Sequence, residues 1–553
     1  MNKKLLGLGI FASLLIASCS SDEPQDNPGQ IQSNDYKVTT DSGELSKAIN
    51  LNDAGVISVL SITKSKNRQS AGDDTPQVSN IALEQIASVD APVLNGQAMR
   101  ADHVDISGDY AYVSYNKEGE TYLGGIDIID ISDKFNPIVV SRMTTAAADV
   151  NGIFFKNNSI YFTGAYDDGL AGGNHSMIGH VKTANGEFTS DFTTKNEIAG
   201  HTGVDILAYN DSFLALTGNN GILGSYKFNS GTDDFETLKE TEFSDLRSAA
   251  YSNGKLAVLS GDNGLIFLNS DFGVEKSIAI SGLTAESKRT ISFYGDNVMV
   301  SEGPNGVGIY NPTTGNMISR LPIQLLPDAV VSSDDKVTNA VALADGFIFM
   351  ANGGAGLGVS KLDANNVLLE EGLAELNGSS NYVKAVGDYI FVASGTGGMR
   401  ILKMSRSEVE TTTFLNCSEF GEYKGNSNLN VNSNEKAAYS GALTLKHLNV
   451  GGEFSFCGSL NVEKSVNFNS FSESNISGAF AVGEYGKNEN LSINSKSVLR
   501  IEGSLVVYGD LNLNSGATLE FISENSSIHV YGRVSKGSGV TIKGNYKDTS
   551  NKL

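Results

Sequence analysis

Tryptophan is absent from the 553 residues, proline occurs only 9 times and cysteine only 3 times. Sugar-binding platforms usually need broad flat aromatic faces, so the absence of tryptophan leaves 20 tyrosines as the available substitutes with a polar tip. Helical periodicity is nearly missing, and 61 glycines against so few prolines point to all-β structure with many tight turns. Basic residues are also in deficit, 40 against 63 acidic, for a net charge of -23. That balance excludes a nucleic-acid partner, which demands a basic patch. The chain has no G-x-S-x-G elbow, no Walker loop, no H-E-x-x-H helix and no EF-hand loop, so the sequence assigns no catalytic residue and reads as a non-enzyme.

What the chain does have begins with Lys3 and Lys4, an apolar run from Leu5 to Ile16 too short to span a bilayer comfortably, and Ile16-Ala17-Ser18-Cys19. This resembles a bacterial lipoprotein signal. The resemblance implies cleavage after residue 18, lipidation of Cys19 and attachment to a membrane through acyl chains; an uncleaved hydrophobic anchor is the alternative. Residues 19–78 then read as the lipidated cysteine, a flexible tether and a short N-terminal segment with an apolar strand from Val56 to Ile62. The acidic run Ser20-Ser21-Asp22-Glu23 is similar to the tag that sends some Gram-negative lipoproteins to the outer face of the outer membrane, although a plain solvated linker looks much the same. The expected location is therefore the outer membrane, facing the cell exterior.

Across residues 79–405 one pattern occurs seven times: a small polar opener, a short strand, a Gly/Asp/Asn turn, and a second apolar strand. The openers are Asp102, Asn151, Asp205, Ser248, Thr290, Asn339 and Asn381, spaced by 42 to 54 residues, the length of a four-stranded propeller blade. Turns such as Asn253-Gly254 and Gly387-Asp388 carry residues that tolerate positive φ. The seventh repeat runs out of strand after Met404, while Ile81 to Val89 precedes the first repeat unassigned. Pairing the two closes the ring and removes two sheet edges. Within the first copy, the segments GDYAYV and GIDIIDIS, followed by Asn136-Pro137, resemble the LVIVD repeat of bacterial surface and secreted propellers. That resemblance implies the fold and an extracytoplasmic location, with no activity; the later copies lose the Asp-Ile-Ser and Asn-Pro element.

After about Ser405 the composition shifts to Asn, Ser and Gly. Residues 406–440 read as a linker or cap, and 441–553 as a smaller domain of apolar triplets such as Leu460 to Val462 and Leu511 to Leu513. Val507-Tyr508-Gly509-Asp510-Leu511 recurs as Val530 to Val534, 23 residues later, about one turn of a parallel β-solenoid; a β-sandwich is the alternative. Cys417 and Cys457 lie here, either joined in a disulfide or as two separate thiols.

By ring symmetry the seven openers gather at one mouth of the central channel, with Arg247 and Arg289 each one residue ahead of an opener and His103 and His201 nearby. Such a ring of oxygens suits a hard cation such as Ca²⁺ or a polar sugar, or simply caps strand ends. No cofactor is otherwise implied. His175 and His180, with Asp167 and Asp168, read as a solvated loop rather than a metal site. Two functions follow: a lipid-anchored surface binding or adhesion protein with a non-catalytic propeller, or a glycan-capturing or carbohydrate-active lipoprotein of a nutrient-uptake system. The partner is a protein or a glycan at the cell surface.

Overall fold

The computed structural model describes residues 35–61, 77–119, 121–167, 175–280, 288, 290–326, 329–406 and 414–553. Each opener strand runs into a two-residue turn whose first residue adopts positive φ, as at Asn210 (49°) and Asn253 (51°), and the next strand folds back against it. Repetition of this hairpin with two further antiparallel strands gives a seven-bladed β-propeller, as the repeat spacing predicts. Alternate side chains of neighbouring blades interlock: Leu214, Leu216 and Leu223 of the third blade pack with Leu246, Val258 and Ile266 of the fourth.

The ring closes as the unpaired ends require. Gln77–Val89 becomes the outermost strand of blade 7, in antiparallel register from Val89 opposite Met399 to Ile81 opposite Arg406. Leu83, Ile86, Ala87 and Val89 lose all contact with solvent there. The N-terminal stretch does more than tether. Lys37–Thr39 adds a fifth strand to blade 1, and Gly55–Ser61 pairs with the closing strand and meets blade 6 at Leu60 and Leu373, fusing blades 6 and 7 into one ten-stranded sheet. On the opener side, glycine-bearing loops bind the start of the following blade: Thr338 donates to Gly303 O, Gly353 to Ser380 O and Ala101 to Gly395 O, at 2.9 to 3.0 Å. The last of these joins blade 7 to blade 1.

The C-terminal domain is a parallel β-solenoid of about six turns, not a sandwich. One wall stacks six strands, with Leu429, Leu448, Val466, Leu491, Leu511 and Val534 in register. The other wall corrects the expectation of isolated triplets: Lys436–Leu445, Glu453–Val462, Glu473–Val482 and Val498–Val507 are ten-residue strands, and triplets such as Leu460 to Val462 are their ends. A glycine ladder, Gly441, Gly458, Gly478 and Gly503, runs through them with φ from 117° to 124°. A Cβ on Gly478 would meet Gly458 O at 2.1 Å, so side-chain-free residues are required. The first coil begins at Asn428, inside the 406–440 stretch expected to be a linker or cap, and its strand Lys436–Leu445 crosses the end of that stretch. The alternation that places Leu429, Val431 and Ala437 in the core is interrupted there by asparagines and charges. Cys417 and Cys457 form a disulfide that ties the segment before this coil to the second coil.

The solenoid docks against the turn-side ends of blades 7 and 1. Phe135, in the Asn-Pro loop of blade 1, stacks on His529 with ring centroids 3.9 Å apart. Lys403 on blade 7 donates to Ser527 Oγ at 2.6 Å, and Lys547 lies over the Tyr389 ring. Glu84 on the closing strand is buried opposite Lys403, and burial raises its carboxyl to about 7. Among the described residues, no helix is long and apolar enough to cross a membrane.

Candidate binding face at the channel mouth

The openers lie at the ends of the innermost strands away from the two-residue turns, on the face opposite the docked solenoid. The strands Val274–Ile278 and Met317–Leu321 also end on this side. Ring symmetry does not put all seven openers at one level. Counting back from the turns, Asp102, Asn151, Asn339 and Asn381 are equivalent, whereas Asp205, Ser248 and Thr290 sit one residue later, level with His103 and Tyr382. Bulges at Asp102 and Asn151, and at Val204 and Arg247 in the next two blades, mark the level at which the sequence slips.

Most opener side chains tie one blade to another. Asn151 Nδ2 donates to Thr202 Oγ1 (3.0 Å) and Gly203 O (2.9 Å) of blade 3 while its Oδ1 accepts from Asn116 (2.8 Å) of blade 1. Asp205 Oδ2 accepts from Ser248 Oγ at 2.7 Å and Ala249 N at 3.0 Å, both on blade 4. Thr290 Oγ1 accepts from Val341 N (3.3 Å), Asn339 Nδ2 donates to Ser380 O (3.4 Å), and Asn381 Nδ2 donates to Ala101 O (3.3 Å). Burial raises the Asp205 carboxyl, opposed by its bonds from Ser248 and Ala249 and by Lys288.

Asp102 is different. Its carboxylate accepts from Lys288 Nζ at 2.5 Å, and the same ammonium reaches Asn151 O at 2.8 Å and Asp102 O at 3.2 Å. Lys288 comes from the connection between blades 4 and 5, so it crosses the mouth to blades 1 and 2. One level below, Asp105 accepts from Lys384 Nζ (3.1 Å) and Phe155 N (2.9 Å), and His103 lies against Tyr382 with centroids 3.9 Å apart. Burial first, then Lys288 and Lys384, push His103 far below its usual range, so it is neutral and does not charge the mouth. Arg247 pairs with Asp245 at 2.5 Å. Arg289 and Cys19 lie outside the described residues, as does Asp168. Sequence reading missed Lys288, Asp105 and Lys384. The available signal was a lysine two residues ahead of an opener in an acid-rich chain.

The histidine loop is also revised. His180 belongs to the strand Ser176–Ala184, stacks on Phe228 at 3.6 Å, and is held near 4 chiefly by burial. His175 faces His201 at 5.4 Å. Among the described residues no group of three or more His, Cys, Asp or Glu is arranged to hold a metal. None of the 20 tyrosines is exposed.

Inside blade 1 the repeat motif has a structural use. Asp127 is fully buried and accepts from Arg142 Nε (2.7 Å), Arg142 Nη2 (2.6 Å) and Tyr115 Oη (2.9 Å), bridging three strands. Blade 7 has Arg400 at the matching place, 4% exposed and donating to Gln85 Oε1 on the closing strand at 3.1 Å. Residues 98–145 and 377–405 both match the family model of the LVIVD repeat. The propeller carries LVIVD repeats. The second match adds blade 7 to the single close copy that the sequence suggests, because Gly398 to Leu402 keeps the strand pattern with arginine in the aspartate's place. No curated protein matches significantly. Among solved structures, the chain is similar to the WD40 propeller domain of Doa1 (13% identity, 57% of this chain and 96% of that one, TM-score 0.39). It is similar also to virginiamycin B lyase from Staphylococcus aureus (15% identity, 59% and 99%, TM-score 0.42) and to Saccharomyces cerevisiae Sqt1 (11% identity, 53% and 80%, TM-score 0.39).

Proposed function

We propose that the protein is a lipid-anchored, non-catalytic binding platform on the outer face of an outer membrane, held through Cys19 and presenting the opener side of the LVIVD propeller to a protein partner. The observation that carries this reading is the use of the opener ring: Asn151, Asp205, Thr290, Asn339 and Asn381 are spent on binding one blade to another. A ring spent this way makes a stiff presenting surface and leaves few side chains for acid/base work. The docked solenoid supports it too, since it braces the turn side of blades 7 and 1 through Phe135–His529 and Lys403–Ser527. Tyrosines that are all at least half-buried weigh against a stacking platform for sugars.

Fifteen residues separate Cys19 from Asp35, a reach of at most about 55 Å over sixteen Cα steps to the rim of blade 1, where Lys37–Thr39 joins the sheet. The test is fractionation of cells carrying the wild type or Cys19→Ala, with protease added to intact cells. Wild type should sediment with membranes and be digested from outside, and the variant should become soluble. Wild type found in the soluble fraction, or protected from external protease, ends the reading.

A further inference from the structure

We propose that the channel mouth is a binding site for a primary alkylammonium group, which the side chain of Lys288 fills when no ligand is bound. This goes beyond the platform reading and does not depend on whether Cys19 carries lipid. An ammonium has three donors and no acceptor, and here three oxygens converge on it: Asp102 Oδ2 (2.5 Å), Asn151 O (2.8 Å) and Asp102 O (3.2 Å). The Tyr382 ring face lies 5.6 Å from Nζ, within reach of a cation–π contact. Below it, His103 is 7% exposed and its Nδ1 has no hydrogen-bond partner among the described residues, so a buried polar atom waits in the same channel. Asp205 and Asp105 add negative charge close enough to act on Tyr382.

Asp102 is the opener whose carboxylate is spent on no neighbouring strand among the described residues. Its partner is a residue outside every strand and half a ring away in sequence, so the contact completes no sheet ladder. A guanidinium is planar and a quaternary ammonium has no N–H, so neither reproduces three convergent hydrogen bonds from one compact centre. The ligand chemistry is therefore a primary ammonium on an alkyl stem, supplied by a free alkylamine or by a lysine of a partner protein. Exchange is nearly even in contacts, and what a ligand must overcome is the tether. A side chain tethered to the ring by its own connection acts at an effective concentration of the order of millimolar.

The experiment uses the full-length chain and reads acetylation of Lys288 by mass spectrometry, with n-butylammonium, a blocked Gly-Lys-Gly peptide, or tetramethylammonium at equal ionic strength. Lys288 should react slower than the exposed lysines, and n-butylammonium over about 1–100 mM should raise its rate relative to those lysines, a ratio that cancels the reagent consumed by the added amine, about threefold or more, with no effect of tetramethylammonium. If the peptide acts as well, a partner lysine fits the mouth; if it does not, the source is a free amine. Lys288→Met should gain a saturable rise in Tm with n-butylammonium at concentrations about tenfold lower than those that act on wild type, and Lys288→Met/Asp102→Asn should not. Acetylation of Lys288 at the rate of an exposed lysine, or protection that neither amine alters, overturns the proposal whether or not the variants fold.

Discussion

Alanine at Gly478 tests the solenoid where it has no slack. The residue has φ 124°, and a Cβ there would lie 2.1 Å from Gly458 O, in a column whose other members, Gly441, Gly458 and Gly503, share the conformation. The φ alone costs about 1–3 kcal/mol in a residue with a side chain. Relieving the overlap needs roughly an ångström of movement across parallel ladders on both sides, which weakens two or more backbone bonds of about 1 kcal/mol each. The sum is about 3–5 kcal/mol. For a unit of about 125 residues, unfolding entropy near 2.1 cal/mol/K per residue turns this into a fall in Tm of about 10–20 °C. Gly486 is the control: it has φ 74°, but no atom lies within 4 Å of where a methyl group would stand, so alanine should cost about 1–2 kcal/mol there. Calorimetry of the full chain reads both. Equal losses for Gly478→Ala and Gly486→Ala would mean that the column is not a steric requirement, and the reasoning would fail.

Deleting residues 79–90 should unfold the propeller as a unit, because Leu83, Ile86 and Val89 alone bury about 5–9 kcal/mol of side-chain transfer energy, comparable to a domain's whole stability; an unchanged melt refutes the closure. Reducing Cys417–Cys457, whose partners are 40 residues apart, should cost the solenoid roughly 4 kcal/mol, seen as a lower Tm once thiol labelling shows the bond open; no shift would mean that it constrains little. Burial raises Glu84 and Asp149 to about 7 in the fold, against about 4 in the unfolded chain. The folded chain then binds more protons between those values, so the stability they carry is complete below about pH 4 and is lost as pH rises to about 7. Glu84→Gln/Asp149→Asn should therefore gain in Tm relative to wild type from pH 5 to 8, and a constant difference would contradict the assigned shifts.

The propeller was legible because its information is local: each turn, second strand and glycine lies within about twenty residues, and seven copies average out the noise. Its closure was legible by elimination, from one strand too few at one end and one too many at the other. The ring level was not. A bulge moves an opener by one place without changing composition, and Asp205 and Ser248 look like Asp102 until the pairing is known. Lys288 could not be placed because its partners lie 186 and 137 residues away, and nothing local encodes a crossing of the channel. The solenoid was visible in its 23-residue echo, but its first coil hid among asparagines. The Asn-Pro loop of blade 1 had a reason to differ from later copies that only the docked His529 reveals.

The closing strand also imposes an order in time. Gln77–Val89 is made before any complete blade, yet its main-chain partner, Met399–Arg406, is made last in the ring, about three hundred residues later. At synthesis rates of about 5–20 residues per second, that strand waits about 15–60 s with an unpaired edge. Ile81-Ala82-Leu83-Glu84-Gln85-Ile86-Ala87-Ser88-Val89 would be an aggregation-prone segment but for one charge in its middle. Glu84 is awkward once folded, buried with neither carboxyl oxygen hydrogen-bonded among the described residues. In water an ionised Glu84 would set like charges close together if two such edges paired, which disfavours that pairing. A residue that burdens the finished ring thus has the character of an edge-blocking charge in the unfinished one.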